Sequence, residues 1–200
     1  MKFIIAIILI LGVQNIFASD SILGKKIESS DRVALPSIIV RYSPSTFMLG
    51  SEYYGYGEEH DAHVIEIGID GSYPIYSRLY FEGGLGGIIT KVDDTLYGDG
   101  DATAYGFYTE LGVVHKTFFG RKKSYDIALR VGVSGLLSDL ELTDENGELT
   151  AVRDDDLSIF YVEPTIGINY NQFAILIGYK FLTNIDFKKS MPTLALKYYF

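Results

Sequence analysis

The residues of this chain that could carry chemistry are charged side chains at alternate positions of apolar segments. In residues 125–134, Ile127, Leu129 and Val131 alternate with Asp126 and Arg130. Because successive side chains of a strand point to opposite faces, the charges share one face and the apolar residues share the other. The same reading of every apolar segment places eleven charged residues on the polar face: Arg41, Glu66, Asp70, Arg78, Glu82, Glu110, Asp126, Arg130, Glu163, Lys180 and Lys197.

These charges have two alternative interpretations. They could line a gated ion path or a site for a charged solute. They could instead form a plug of salt bridges, because an unpaired charge in an enclosed space is very costly. Both signs occur in similar number, so we favour the plug. We place its centre at Arg130 with Glu82, Glu110 or Glu163.

The histidines are the main candidates for enzyme chemistry. His60 and His63 lie beside Glu58, Glu59 and Asp61, where a metal site or an acid–base pair could form. His115 lies beside Lys116, and for this histidine anchoring at the membrane interface is the alternative to a catalytic role. The chain contains neither a Gly-x-Ser-x-Gly signature nor a His-x-Ser pairing. We therefore predict a non-enzymatic protein without a cofactor or a resident metal.

The polar segments between the apolar ones are acidic. Residues that could contact divalent cations, and through them lipopolysaccharide phosphates, are Asp99, Asp101, Asp154, Asp155 and Asp156. Their spacing does not fit an EF-hand loop, and the alternative is a solvated loop surface. The tyrosine-rich segment 53–57 could present aromatic rings to an extracellular partner or belong to an interfacial girdle.

These side chains require long strands to position them. The alternation predicts eight strands: residues 33–42, 62–73, 78–91, 104–118, 125–137, 157–170, 173–182 and 192–200. Most are long for a globular protein but suit a tilted strand that crosses a bilayer. The apolar face carries almost no charge, as lipid contact requires. The predicted fold class is all-β, an eight-stranded antiparallel transmembrane up-and-down β-barrel.

The connections between these strands alternate in length. The connections 74–77, 119–124 and 171–172 are short, whereas 43–61, 92–103, 138–156 and 183–191 are long and polar. This asymmetry is typical of outer-membrane barrels, with short turns in the periplasm and long loops outside. Residues 140–152 also read as a hairpin around Asn146-Gly147 that projects above the membrane. Pro164 predicts a bulge or a locally broken pairing, because proline cannot donate a ladder hydrogen bond.

Composition and the two chain ends bound the cellular location. The net charge of −9 argues against nucleic acid as a partner, and the absence of cysteine excludes disulfides. Residues 3–13 form an apolar run after a basic start, too short for the ~20 residues of a spanning helix. We therefore expect a cleaved signal peptide over residues 1–19, a short periplasmic segment over 20–32 and the barrel over 33–200.

The last strand ends in Tyr198, Tyr199 and Phe200. An alternating terminal strand that finishes in Phe resembles the recognition signal of bacterial outer-membrane barrels, so Tyr198 and Phe200 are the predicted membrane-insertion signal. Together with the strand count and loop parity, the chain resembles the OmpA/OmpX and opacity-protein type of barrel, without a periplasmic domain. That resemblance implies a monomeric surface protein that contacts outer-membrane lipid, lipopolysaccharide and the barrel-assembly machinery. Its role would be adhesion, extracellular ligand contact through the loops, or envelope stability. The alternative is a narrow porin or a transporter of small solutes similar to OmpW-type barrels.

Overall fold

The structure, a computed structural model, describes residues 34–50, 57–93, 101–136, 140–143, 149–153, 158–183 and 190–200. The predicted signal peptide and the segment 20–32 lie outside these residues. The described chain forms ten strands: β1 (Leu35–Gly50), β2 (Gly57–Pro74), β3 (Leu79–Asp93), β4 (Asp101–Gly120), β5 (Lys123–Leu136), β6 (Leu140–Thr143), β7 (Leu149–Arg153), β8 (Ser158–Tyr170), β9 (Phe173–Leu182) and β10 (Ser190–Tyr199). Within the described ranges, no helix has the length and apolar character needed to cross a membrane.

Eight of these strands form a closed antiparallel barrel. Its order is β1-β10-β9-β8-β5-β4-β3-β2, and β2 pairs again with β1. Neighbours in the chain are neighbours in the barrel, so the topology is up-and-down, as the sequence predicts. Closure between first and last strand removes the exposed sheet edges that an open sheet would leave.

The alternation of side chains explains the two surfaces of the barrel wall. Outward positions hold large apolar residues, and Ile69, Leu85 and Ile166 are 59%, 58% and 62% exposed. Inward positions hold most of the buried polar and charged residues, together with small apolar clusters around Ile39 and Val64. A water-soluble barrel would place its apolar face inside, so this polarity is the one that a lipid environment stabilises.

Short connections join the strands at one end of the barrel, here called the turn end; the opposite end is the loop end. The turn between β8 and β9 places Asn171 at a φ of 56°, a left-handed conformation that asparagine tolerates better than most residues. Between β4 and β5 the register shifts from Phe118 to Gly120, which leaves Phe119 as a bulge beside the turn.

The observed strands extend beyond the predicted bounds at the loop end. The segment 43–61, predicted as a loop, continues β1 to Gly50 and begins β2 at Gly57. The predicted hairpin in 140–152 is present as β6 paired with β7. This hairpin does not stand alone, because β6 contacts β4 and β7 contacts β1. Since β4 and β1 are three strands apart in the barrel, the hairpin lies across the opening at the loop end.

Pro164 breaks the pairing of β8 with β9 without a bulge. The pairs run from Val162↔Phe181 to Thr165↔Gly178 in one register, with no pair at Glu163 or Pro164. On its other side, β8 pairs with β5 without interruption. Of the two predicted outcomes for Pro164, the locally broken pairing is therefore the correct one.

Candidate functional site: charged side chains in the barrel interior

Every barrel strand contributes a charged residue to a single network in the interior, and β2 contributes two. The nine are, in chain order, Arg41, Glu66, Asp70, Glu82, Glu110, Arg130, Glu163, Lys180 and Lys197. Four are cationic and five are anionic, so the two signs nearly balance. Each is buried, which makes pairing within the set necessary for the fold to be stable.

Arg41 of β1 makes three of the ion pairs. Its guanidinium contacts Glu66. Its Nη2 lies 2.8 Å from Glu110 Oε1, and its Nε lies 3.5 Å from Glu163 Oε2. Glu66 also accepts a hydrogen bond from Lys180 Nζ. The planar guanidinium presents several donors in fixed directions, which suits one residue to serving several carboxylates.

Arg130 of β5 extends the network to the other side of the interior. Its Nη2 lies 2.8 Å from Glu82 Oε2, and its Nε lies 3.9 Å from Glu110 Oε1. Lys197 Nζ then lies 3.0 Å from Glu82 Oε1 and 2.9 Å from Asp70 Oδ2. An unbroken series of ion pairs thus runs from Lys180 to Asp70.

Hydroxyl groups form further hydrogen bonds with these charged side chains. Tyr161 donates to Glu110 Oε2 at 2.8 Å, and Thr193 donates to Glu163 Oε1 at 2.6 Å. Ser72 donates to Glu82 at 2.5 Å, and Arg130 donates to Thr165 Oγ1 at 2.7 Å. Hydrogen bonds to charged groups contribute more than neutral ones, so these hydroxyls stabilise the buried charges.

Two buried tyrosines lie beside the network. There is room for their rings because the wall positions that they contact are glycines. The ring of Tyr161 lies against Gly132, and a Cβ on Gly132 would come within 2.5 Å of Tyr161 Oη. The ring of Tyr108 lies against Gly68 and Gly86. Lys180 Nζ lies 4.2 Å from the centre of the Tyr161 ring, a cation–π contact that also fixes the lysine.

A second, smaller cluster lies nearer the turn end. Lys116 Nζ donates to Asp126 Oδ2 at 2.7 Å, and Ser124 donates to Asp126 Oδ1 at 2.8 Å. Asn169 also donates to Asp126. Lys116 Nζ lies 5.3 Å from the ring centres of both Tyr80 and Tyr199. The Lys116 ammonium is therefore held by one carboxylate and two aromatic rings.

The structure brings ten of the eleven predicted interior charges together. The exception is Arg78, which is exposed in the turn before β3. The prediction that Arg78 faces the interior is wrong because this residue precedes β3 and does not follow the alternation of the strand. Lys116 is the interior charge that the sequence prediction missed. Its even position in β4, in step with Glu110, would have identified it.

Arg130 contacts Glu82 and Glu110, as the hypothesis for the centre states. Glu163 pairs with Arg130 in backbone register, but its carboxylate lies beside Arg41. Arg41 therefore shares the central position, which the sequence did not indicate.

The remaining predicted sites are only partly among the residues that the structure describes. The side chains of Asp99, Asp101, Asp154, Asp155 and Asp156 lie outside the described part of the structure, as does that of His60. His63 Nδ1 lies 2.7 Å from Tyr42 Oη, and the two rings stack. Among the described residues, no group of three or more His, Cys, Asp or Glu side chains could hold a metal ion. Tyr198 is half-buried, and Phe200 is exposed at the turn end.

No protein-family model matches the chain, and no curated protein has a matching sequence. Among solved structures, Ail of Yersinia pestis, solved in complex with the heparin analogue sucrose octasulfate, is similar at 14% identity. The alignment covers 83% of this chain and 97% of Ail, with a TM-score of 0.44. Neisserial surface protein A is similar at 11% identity, 84% and 99% coverage and a TM-score of 0.46. The outer membrane protease OmpT of Escherichia coli is similar at 11% identity, 89% and 100% coverage and a TM-score of 0.34.

The fold assignment itself rests on the strand order and register of this chain. The wall is closed, its outward face is apolar, and its interior is charged and hydrogen-bonded. The chain is a small eight-stranded antiparallel up-and-down β-barrel, and the predicted resemblance to small outer-membrane barrels is confirmed at the level of the fold.

Proposed function

We propose that this protein is a bacterial outer-membrane barrel with a closed lumen, whose role is structural or in surface contact. The observation that carries the proposal is the network of paired charges to which every barrel strand contributes at least one buried residue. An eight-stranded barrel has an interior that side chains can just fill, so such a network leaves no wide channel. Transport would then not be the main activity.

The outward surface supports the membrane location. Exposed aromatic residues lie near both ends of the barrel wall, with Tyr125, Tyr170 and Phe173 at the turn end and Tyr105 and Phe181 toward the loop end. Between them the exposed residues are mainly aliphatic. Aromatic side chains at two levels around an apolar band are typical of barrels whose ends lie at the membrane interfaces. The short turns would face the periplasm, and the signal peptide would direct export.

The loops would carry the surface role. They are acidic, and the hairpin β6–β7 lies over the opening at the same end. Acidic loops could approach lipopolysaccharide phosphates only through divalent cations, because direct contact would be repulsive. The proposed partners are outer-membrane lipid, lipopolysaccharide, the assembly machinery during insertion and an extracellular ligand.

The alternative is a narrow porin or a transporter of small solutes. An apolar solute requires an apolar path, and the described interior is instead crossed by ion pairs. An ion path would require these pairs to separate. The fold is shared by proteins of several functions and does not decide between the two roles.

Single-channel recording of the folded mature protein in a planar bilayer tests the proposal. Folding is checked by the heat-dependent shift in gel mobility that barrels show. We expect folded protein and electrically silent membranes. Stable, ion-selective openings would contradict the closed lumen and favour the porin alternative.

A further inference from the structure

Two prolines face each other across the seam where the barrel closes. The pairs between β1 and β10 run from Ser37↔Tyr199 to Tyr42↔Leu194. Continued in the same register, Pro44 lies opposite Pro192. No pair is formed at this position or beyond it between the described residues 43–46 and 190–193, although both segments are extended strand.

The phase of the ladder explains why pairing stops there. In an antiparallel ladder, every second residue pair exchanges the hydrogen bonds. Phe200 N donates to Pro36 O at 3.1 Å, which fixes the even positions of β1 as the hydrogen-bonding set. Pro44 and Pro192 belong to that set, and neither has an N–H. Both bonds of this pair are therefore absent.

The other side of the same hairpin is weakened in the same way. Thr183 N donates to Phe160 O at 3.0 Å, which places Pro164 opposite Tyr179 in the hydrogen-bonding set of β8 and β9. The missing N–H of Pro164 is thus directed at β9, where the pairing is interrupted. Between β9 and β10 the pairs are continuous from Ser190↔Phe181 to Tyr198↔Phe173. The loop-end half of the β9–β10 hairpin is thus intact internally and unpaired with β1. On the β8 side, its pairing is interrupted at Pro164 and resumes at Val162↔Phe181, so this side can act as the hinge.

Side-chain contacts in the interior hold this half of the hairpin in place. Lys180 of β9 is paired with Glu66 of β2, on the far side of the seam. Thr193 of β10 donates to Glu163 of β8. Behind the unpaired part of the seam lies Ser43, fully buried, with an Oγ that has no hydrogen-bond partner among the described residues.

We propose that the loop-end parts of β9 and β10, residues 178–182 and 190–193, form a lateral gate in the barrel wall. When it swings outward, the seam beside Ser43 opens to the surrounding lipid, and the polar end of a membrane-dissolved amphiphile can reach Ser43 and Thr193. The Lys180–Glu66 ion pair is the latch that keeps the gate closed. The inference rests on the proposed membrane location but does not depend on whether the lumen conducts ions.

Single-cysteine labelling tests the gate, because the chain has no cysteine of its own. The reporter is Ser43→Cys and the matched control is Thr90→Cys. Ser43 and Thr90 lie in one row of the wall, since both are paired with Val64. Both are buried and face inward, but Thr90 has continuous pairing on both sides. The probe is a membrane-permeant maleimide added to the folded protein in lipid vesicles.

We expect Ser43→Cys to react at least about tenfold faster than Thr90→Cys, which corresponds to about 1.4 kcal/mol in the opening equilibrium. Replacing both prolines (P44V with P192V) restores donors to the seam and should slow the reaction of the Ser43→Cys reporter. Lys180→Met removes the latch and should accelerate it. Lys116→Met, the same change at a buried lysine outside the hairpin, should not.

Equal labelling of the two reporters, or acceleration by Lys116→Met as large as by Lys180→Met, would overturn the gate. If the double proline variant does not fold, the lysine comparison still decides. Slow labelling of Ser43→Cys would contradict the gate, whereas a conducting lumen would contradict the proposed plug. The two proposals can therefore fail independently. Protein that does not insert into vesicles would contradict the proposed membrane location.

Discussion

Arg41 Nη2 lies 2.8 Å from Glu110 Oε1, although β1 and β4 are three strands apart in the barrel. This contact crosses the interior and does not follow the wall. Together with the contacts of Arg41 to Glu66 and Glu163, it ties opposite sides of the barrel to one guanidinium. The backbone ladders close the wall, and the charged side chains join its distant strands through the interior.

The Arg41–Glu110 pair should be strongly coupled in stability. Removing one partner leaves a buried charge without compensation, so Arg41→Met and Glu110→Gln should each lower the free energy of unfolding by about 3–5 kcal/mol. The double variant should lose less than the sum of the two. Denaturant unfolding in lipid vesicles, followed by gel mobility, measures the coupling. Arg121→Met, at an exposed turn position, is the control, and additive losses in the cycle would show that the pair is not coupled.

The two buried tyrosine hydroxyls should differ in their effect on stability. Tyr161→Phe removes a donor to the Glu110 carboxylate and should cost about 1.5–3 kcal/mol, the range for hydrogen bonds to charged groups. Tyr108→Phe should be close to neutral, because the Tyr108 hydroxyl has no hydrogen-bond partner within the described interior. The same unfolding assay compares the two variants. Equal losses would show that the hydroxyl bonded to Glu110 contributes no more than the hydroxyl without a partner, and would contradict this prediction.

Glycines that face the interior should be less replaceable than those that face lipid. A Cβ on Gly132 would come within 2.7 Å of the Thr109 carbonyl oxygen, so Gly132→Ala should cost about 1–3 kcal/mol through overpacking. Nothing lies within 4 Å of a Cβ on Gly71. Gly71→Ala should therefore change stability by less than about 0.5 kcal/mol. A tolerated Gly132→Ala would mean that Tyr161 can move away from the wall.

The sequence is sufficient to predict most of this fold because the side-chain period of a strand is two. Ile127, Leu129 and Val131 face outward and Asp126 and Arg130 face inward, as the alternation predicts. The prediction is wrong where the pleat ends, at Arg78. The predicted β1 is too short, because β1 continues to Gly50 through residues that do not alternate between apolar and polar. Strand pairing can extend beyond the part of a barrel that contacts lipid.

The partners within the network could not be predicted from alternation. A face assignment places Arg41 and Glu110 inside, but their contact depends on the stagger of strands that are distant in the chain. The same applies to Pro44 and Pro192. Each is visible in the sequence, yet their position opposite each other follows from the register between the first and last strands.

The most direct test of the central claim is a planar-bilayer recording of native protein beside Arg130→Ala, paired with the unfolding assay for both. Arg130→Ala removes the contacts to Glu82 and Glu110 and a large side chain from the middle of the interior. We expect silent native barrels, and in the variant a lower free energy of unfolding together with an ion leak. Unchanged stability and unchanged conductance in the variant would contradict the charged plug centred on Arg130.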